Sequence, residues 1–407
     1  MNLKLLVILL FVLGFVYRML LQLVSYRSAN NPTPENVKDV YDADTYLTWK
    51  KYSADKHRLN MISTAVSFAV MLVILLTNFN ALVSGIFGKN VYLSMIAVLL
   101  IQTLVESIVN VFFNYRETMV IEQKYGFNRS TMKTFVIDQI RSFILELLLT
   151  VGLMSILCSL HNAMGDWIIL LFTVAVFAVS LLISFLYPIL SRIGNKFVSL
   201  EEGELREKLM ALLNKNGYQV KDIKVMDASR RTTKLNAYFT GFGKLKTIVL
   251  FDNLVNAMSV EEICAVFAHE LGHGLYKDVP KQQVMNLLNL FLMALVAWIC
   301  VRSEAVYTFF GFEGVNYGFA FILMGAGLGL VQPLTGMLMS AYSRFAEYRA
   351  DRQAVKEGYG EALVTGLKKL AKENFAHLAP SKILVVLEYS HPPLAERIAA
   401  IEKELKK

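Results

Sequence analysis

The chain has 407 residues, of which 55% are hydrophobic and 18% charged, and its mean hydropathy is +0.46. This apolar excess excludes a disordered chain and disfavours an ordinary soluble enzyme. The net charge is +8 (41 Lys and Arg against 33 Asp and Glu). It does not indicate nucleic-acid binding, because the basic residues are scattered between apolar segments instead of forming a stripe. Contact with anionic lipid is the simpler explanation.

The three cysteines lie in apolar segments. Cys158, Cys264 and Cys300 share no CxxC or paired spacing, so the sequence predicts neither a disulfide framework nor a cysteine metal site. We interpret them as small buried hydrophobic residues.

Seven apolar segments are long enough to cross a bilayer, whose hydrocarbon core of roughly 30 Å requires about 20 helical residues. The first begins like a signal peptide, but its apolar run continues past Arg18 and no small-residue cleavage site follows, so we predict a retained span. The seven predicted spans are Leu3–Val24, Met61–Leu82, Val91–Phe113, Phe135–Leu160, Trp167–Leu190, Val284–Val301 and Phe319–Leu338.

Lys and Arg concentrate in alternate connections between these spans, and the connections around Gly88, Asp166 and Gly314 hold almost none. The positive-inside rule therefore predicts an N-terminus outside and a C-terminus in the cytoplasm. On this basis the chain divides into four parts: the first five membrane helices, a cytoplasmic insertion, two further membrane helices and a C-terminal cytoplasmic portion, at 1–190, 191–283, 284–338 and 339–407.

Several predicted spans carry charged residues that lipid would reject. Asp138 and Arg141 are three residues apart on one helix face, which favours an ion pair between them. Glu106 and Glu146 lie deeper in their spans, and two interpretations remain open for them: an inward-facing, water-filled cavity or a satisfied buried pair.

The hydrophilic stretch before the sixth span has the pattern of a small α+β unit. It predicts a helix over Leu200–Asn216, a strand over Ile223–Met226, and a hairpin of Asn236–Phe239 and Thr247–Phe251 around the turn Gly241–Lys244. We expect the strand Thr247–Phe251 to be able to pair with an extended substrate.

One segment of this stretch has the spacing of a metal site. Ser259 and Glu262 form a capping-box pattern that starts a helix. On that helix His269 and His273 are one turn apart, so both imidazoles can reach one zinc ion. Glu270 points to the side, where it can take a proton from a zinc-bound water without being a ligand.

Two histidines leave a catalytic zinc one protein ligand short. The best candidate is Glu347, on the cytoplasmic continuation of the seventh span, because Asp351 projects from the same helix face and can accept the free N–H of a ligating histidine. The alternative is an ordinary charged helix in which Glu347 pairs with Arg344 or Asp351 pairs with Arg349.

These motifs together resemble the CAAX prenyl protease 1 family, the type I CAAX endopeptidases among the gluzincin membrane zinc metalloproteases. The likeness extends over nearly the whole chain and includes the segments 122–128, 200–205, 236–239, 248–252 and 389–397. The resemblance implies an all-α polytopic membrane protein in which seven transmembrane helices surround an intramembrane chamber. It also implies a small α+β gluzincin-like catalytic portion on the cytoplasmic side.

The resemblance implies one zinc ion per chain on His269, His273 and Glu347. It assigns the general base and acid to Glu270 and places Asp351 behind the ligands.

The resemblance further suggests that Asn236 and His391 hydrogen-bond the substrate backbone or the developing oxyanion. A tetrahedral intermediate needs a second electrophilic donor, and an imidazole such as that of His391 suits this role. The alternatives are that His391-Pro392-Pro393 simply starts a helix and that Asn236 is a turn residue.

The sequence therefore predicts an integral-membrane zinc metalloendopeptidase that removes the C-terminal tripeptide after a prenylated cysteine. Its expected partners are a peptide or protein substrate, possibly prenylated, and the lipid bilayer, without nucleic acid. The membrane would be that of the endoplasmic reticulum in a eukaryote or the inner membrane in a bacterium. Two alternatives stay open: a broad quality-control protease independent of prenylation, and an ion transporter with a regulatory metal site, although the five-plus-two spans lack the matching halves of a transporter.

Overall fold

The computed structural model describes residues 2–190, 195–220, 222–240 and 247–407. The fifteen α-helices are α1 (Leu3–Ser28), α2 (Ala43–Leu76), α3 (Phe79–Gly85), α4 (Val91–Tyr115), α5 (Met132–Met164), α6 (Trp167–Leu190), α7 (Glu204–Lys215), α8 (Asp252–Ala257), α9 (Val260–Leu275), α10 (Asp278–Arg302), α11 (Glu304–Phe309), α12 (Tyr317–Lys356), α13 (Gly360–Glu373), α14 (Lys382–Leu387) and α15 (Leu394–Leu405), all within the described ranges. The strands are β1 (Phe197–Ser199), β2 (Asp222–Met226), β3 (Ala237–Thr240) and β4 (Thr247–Phe251).

Six helices of the described residues are long and apolar enough to cross a membrane: α1, α2, α4 with the π-helical turn Arg116–Glu122 that continues it, α5, α10 and α12. The fifth predicted span coincides with α6, a helix of 24 residues. Six spans are thus identified, and a total of seven stays a prediction.

Two membrane helices are longer than predicted because hydropathy detects only their apolar part. α2 begins at Ala43 instead of Met61, and it ends at Leu76, shortly before Asn78 takes a left-handed backbone conformation. α12 continues from the membrane to Lys356 as one helix of 40 residues. This continuation carries the acidic residues that the sequence associates with a metal.

The charged groups within the spans have identifiable surroundings. Asp138 lies 4.0 Å from Arg141, as predicted, but it pairs more closely with Arg231, at 2.7 Å. Glu106 accepts a hydrogen bond from Gln102 Nε2 at 2.5 Å and lines a cavity of about 410 Å³ between α1, α2, α4 and α12. For Glu106 the structure therefore favours the inward-facing interpretation.

The sheet contains the predicted strand and hairpin. Its order is β1-β2-β4-β3, and β3 and β4 are antiparallel, with Ala237 opposite Leu250. The predicted turn Gly241–Lys244 lies outside the described residues. The predicted helix over 200–216 starts only at Glu204, because Leu200 N instead donates to Ile223 O at 2.9 Å and so belongs to the sheet.

The prediction that the strand Thr247–Phe251 can pair with an extended substrate is wrong. β4 is an inner strand that pairs in parallel with β2 on one side and antiparallel with β3 on the other. Its main-chain groups are therefore already hydrogen-bonded on both sides. The outer strand next to it is β3, so a substrate that adds to this edge of the sheet would meet β3.

α9 joins the catalytic portion to the membrane helices. Its N-terminus has the predicted capping box: Ser259 Oγ accepts from Glu262 N at 3.3 Å, and Glu262 Oε2 accepts from Ser259 N at 2.8 Å. The helix packs against α12 and α13. At the crossing with α12, a Cβ atom on Gly272 would stand 2.9 Å from Ala350 Cα. The absence of a side chain at Gly272 thus brings the two helices that carry the site into close contact.

Candidate active site

Three predicted ligand atoms converge at the crossing of α9 and α12. His269 Nε2 lies 3.3 Å from His273 Nε2, and Glu347 Oε1 and Oε2 lie 3.3 Å from His273 Nε2 and 3.5 Å from His269 Nε2. Two zinc bonds of about 2.05 Å at a tetrahedral angle separate their ligand atoms by about 3.3 Å. The separation of the two Nε2 atoms therefore matches two corners of a tetrahedral zinc site, and one Glu347 oxygen faces each of these nitrogens.

Carboxylates on the far side of the two rings decide which ring nitrogen carries hydrogen. His269 Nδ1 donates to Asp351 Oδ1 at 2.8 Å, and His273 Nδ1 donates to Asp278 Oδ2 at 3.0 Å. A carboxylate can only accept, so in the neutral rings both Nε2 atoms carry lone pairs. These lone pairs point at each other and at Glu347, an arrangement that a cation stabilises.

The surroundings of Glu347 also fit a metal. Its side chain is buried, at 4% exposure, and among the described residues its Oε2 atom accepts no hydrogen bond. Arg397 lies near this oxygen as an ion-pair partner, but a buried carboxylate oxygen that accepts no hydrogen bond is uncommon. Two imidazole nitrogens and one carboxylate oxygen form a typical donor set of catalytic zinc, so the residues at this site fit the ion.

A buried arginine, Arg397, ties the acidic side of the site together. It donates to both Asp351 oxygens, from Nε to Oδ2 at 2.9 Å and from Nη2 to Oδ1 at 2.6 Å, and its Nη1 lies 3.2 Å from Glu347 Oε2. A two-pronged contact of this kind fixes the orientation of a carboxylate. The sequence motif contains Arg397, but its spacing from Asp351 gave no reason to connect the two.

The alternative ion pairs predicted for a plain charged helix are not formed within the described part of the chain. Arg344 donates instead to the Tyr389 carbonyl oxygen at 2.7 Å. Arg349 pairs with Asp278 at the start of α10. Arg344 and Arg349 are thus engaged away from Glu347 and Asp351.

The converging atoms lie beside a cavity of about 600 Å³ that Glu270 also lines. Burial raises the pKa of the Glu270 carboxyl. Burial alone would lower the pKa of His273, but the hydrogen bond and the charge of Glu347 outweigh it and raise that pKa to about 9. The effect of Glu347 on His273 shows that the negative charge of the site stabilises a positive charge beside it, which favours the binding of a cation.

His391 and Asn236 line the same cavity. The His391 Nε2 atom lies 3.3 Å from Glu347 Oε1, while the α15 helix begins only at Leu394, so His391 itself is outside that helix. Asn236 directly precedes β3, and its Oδ1 accepts from the backbone N of Ala237 at 2.9 Å. The structure therefore brings both predicted substrate contacts to the cavity that Glu270 lines.

The sequence analysis did not identify Asn374, another residue of the cavity lining. Its side-chain amide forms two hydrogen bonds with the backbone of Leu235: Oδ1 accepts from N at 2.9 Å and Nδ2 donates to O at 3.0 Å. Asn374 thereby holds the chain just before Asn236 and β3. The two partners are 139 residues apart, so no local pattern connects them.

Comparisons with known proteins agree with this architecture over nearly the whole chain. The family model described as CAAX prenyl protease N-terminal, five membrane helices, matches residues 22–192, and the model of Peptidase family M48 matches residues 199–405. The CAAX prenyl protease 1 homolog of Oryza sativa is 30% identical over 404 residues, covering 96% of this chain and 95% of that protein. CAAX prenyl protease 1 of Saccharomyces cerevisiae is 31% identical, covering 73% of this chain and 69% of that protein.

A solved structure has the same fold. The crystal structure of S. mikatae Ste24p superposes with a TM-score of 0.91 at 26% identity, covering 98% of this chain and 99% of that chain. The membrane helices and the converging histidine and glutamate side chains define a membrane-embedded metallopeptidase. The chain belongs to the CAAX prenyl protease 1 family of membrane zinc metallopeptidases.

Proposed function

We propose that the chain binds one zinc ion through His269, His273 and Glu347 and cleaves peptide bonds in the cavity beside it. The observation that carries this proposal is the convergence of two imidazole lone pairs and a buried carboxylate at separations of 3.3 to 3.5 Å. When bound, zinc would polarise the scissile carbonyl group and acidify a water molecule.

Glu270 is the proton-transfer residue in this proposal. It is adjacent to His269 on α9 and lines the cavity, so its carboxylate can take a proton from the attacking water and return it to the leaving amine. Its raised pKa brings it closer to the operating pH, where a group that alternates between base and acid works best.

His391 and Asn236 bind the substrate backbone in this proposal. The His391 side chain is 64% exposed, so it can donate to a carbonyl oxygen as negative charge develops there. Asn236 precedes β3, the outer strand of the described sheet, and an extended peptide can add to such a strand. Main-chain pairing of this kind binds many sequences and leaves selection to the pockets for the side chains.

We propose a prenylated protein C-terminus as the substrate. The relatives that match most of the chain are named CAAX prenyl proteases, and the catalytic portion is attached to membrane helices that a lipid-modified substrate can reach. The proposed metal-binding residues lie in the two hydrophilic segments 191–283 and 339–407, which are rich in Lys and Arg. The positive-inside rule therefore supports a site that faces the cytoplasm.

The test uses detergent-purified protein and two matched peptides, one farnesylated at a cysteine four residues from the end and one bare. Preferential removal of the last three residues from the farnesylated peptide is expected. Equal cleavage of both peptides would contradict the prenyl requirement and indicate a broad membrane protease.

A further inference from the structure

Asp278 is a buried carboxylate behind the second histidine of the site. It is the first residue of the membrane helix α10 and is 2% exposed. Its Oδ2 accepts from His273 Nδ1 at 3.0 Å, and its Oδ1 accepts from the Tyr342 hydroxyl at 2.9 Å and from Arg349. A residue held by three donors has little freedom, so the ring it contacts is held in one orientation.

The backbone just before Asp278 is in an unfavourable conformation. Lys277 has φ 57° and ψ 43°, the left-handed region, which costs a residue with a side chain roughly 1–2 kcal/mol. This turn ends α9 and starts α10 in a new direction, and it places Asp278 against His273. Conformations of this kind persist where the surrounding contacts outweigh their cost.

The two histidines have equivalent support from different elements. His269 donates to Asp351, which Arg397 holds, and His273 donates to Asp278, which Arg349 holds. In the second arrangement the carboxylate and its other donors come from two membrane helices. Asp278 is the first residue of α10, and its donors Tyr342 and Arg349 belong to α12. The orientation of His273 is therefore determined by two membrane helices.

We propose that Asp278 is the positioning residue of His273 and that it sets the metal affinity of the site through α10 and α12. This inference rests on the proposed zinc site. Carboxylates that hold a ligating imidazole fix its tautomer and its direction, and their removal typically weakens metal binding by about 10- to 100-fold.

Asp55 provides a matched control. It accepts from Lys124 Nζ at 2.7 Å and from the Tyr125 hydroxyl at 2.8 Å, so it has the same combination of a cation and a tyrosine as Asp278. It contacts neither histidine of the site in the described structure. Asp55→Ala therefore removes a carboxylate with the same two kinds of donor, from a more exposed position (29% of the side chain against 3% for Asp278), without affecting a ligand.

The experiment measures the zinc dissociation constant of the full-length protein in detergent by competition with a chelator. We expect Asp278→Ala to raise this constant by about 10- to 100-fold, Asp278→Asn to raise it less because the amide oxygen still accepts from His273, and Asp55→Ala to leave it unchanged. Absorption spectra of the cobalt-substituted proteins should change for the Asp278 variants only.

The thermal unfolding midpoint of each metal-free protein shows whether a variant has lost stability in general. A weaker zinc affinity with a midpoint like that of the wild type indicates a loss of positioning. An unchanged zinc constant and an unchanged cobalt spectrum in both Asp278 variants would overturn the inference. A wild-type protein that binds no zinc would instead overturn the proposed function.

Discussion

The contact between α9 and α12 leads to a prediction for Gly272→Ala. The new Cβ would stand 2.9 Å from Ala350 Cα and 3.2 Å from Gln353 Cβ, whereas carbon atoms pack at about 3.5–4.0 Å. The two helices must therefore move apart by roughly 0.6–1.1 Å or distort locally. Overpacking of this kind costs about 1–3 kcal/mol of folding free energy.

The same separation affects the metal site, because both histidines are on α9 and Glu347 is on α12. Metal–ligand distances vary by only about 0.2 Å between good sites, less than the shift that Gly272→Ala requires. We therefore expect its zinc dissociation constant to rise at least about tenfold, within the range seen when ligand orientation is lost.

The assay combines chelator competition for zinc with thermal unfolding in detergent. The matched control is Gly336→Ala on α12, where no atom of the described residues lies within 4 Å of the added Cβ. This control should keep the zinc affinity of the wild type. A Gly272→Ala protein with wild-type affinity and an unchanged unfolding midpoint would refute the argument that this close contact holds the two halves of the site together.

Three further changes have defined outcomes. Glu347→Ala should empty the zinc site, and a full zinc complement by metal analysis would show that the third ligand is wrong. Ser259→Ala removes the capping hydrogen bond of α9 and should cost about 1 kcal/mol of stability, seen as a lower unfolding midpoint with zinc affinity retained. Asn374→Ala removes both hydrogen bonds to the backbone of Leu235 and should raise KM for peptides while kcat changes little. A lower kcat with an unchanged KM in steady-state kinetics would contradict a substrate-positioning role.

The sequence was sufficient to predict the central elements because their signals are local. The capping box at Ser259 and the spacing of His269 and His273 lie within one helix, and hydropathy locates the apolar segments of the six identified spans. The place of Glu347 beside the two histidines could be predicted because Glu347 and Asp351 lie one turn apart on the helix that continues a membrane span; its role as a metal ligand stays a prediction.

The remaining features depend on contacts between distant segments. β4 is an inner strand because it pairs with β2 as well as with its hairpin partner β3. The pairing of Arg397 with Asp351 joins two helices, and Asn374 acts on a segment far earlier in the chain. Asp278 is only five residues from His273, but its orientation depends on the turn at Lys277. No periodic pattern in the sequence encodes such contacts.

The most direct test of the proposed active site compares the wild type with Glu270→Gln in detergent, with peptide cleavage and zinc content measured on the same samples. Replacement of the carboxyl by an amide keeps the shape of the side chain and removes proton transfer, which contributes about 10²–10⁴-fold to such reactions. We predict one zinc ion per chain in both proteins and a loss of cleavage of at least that size in the variant. Cleavage at the wild-type rate by Glu270→Gln would contradict the proposed active site.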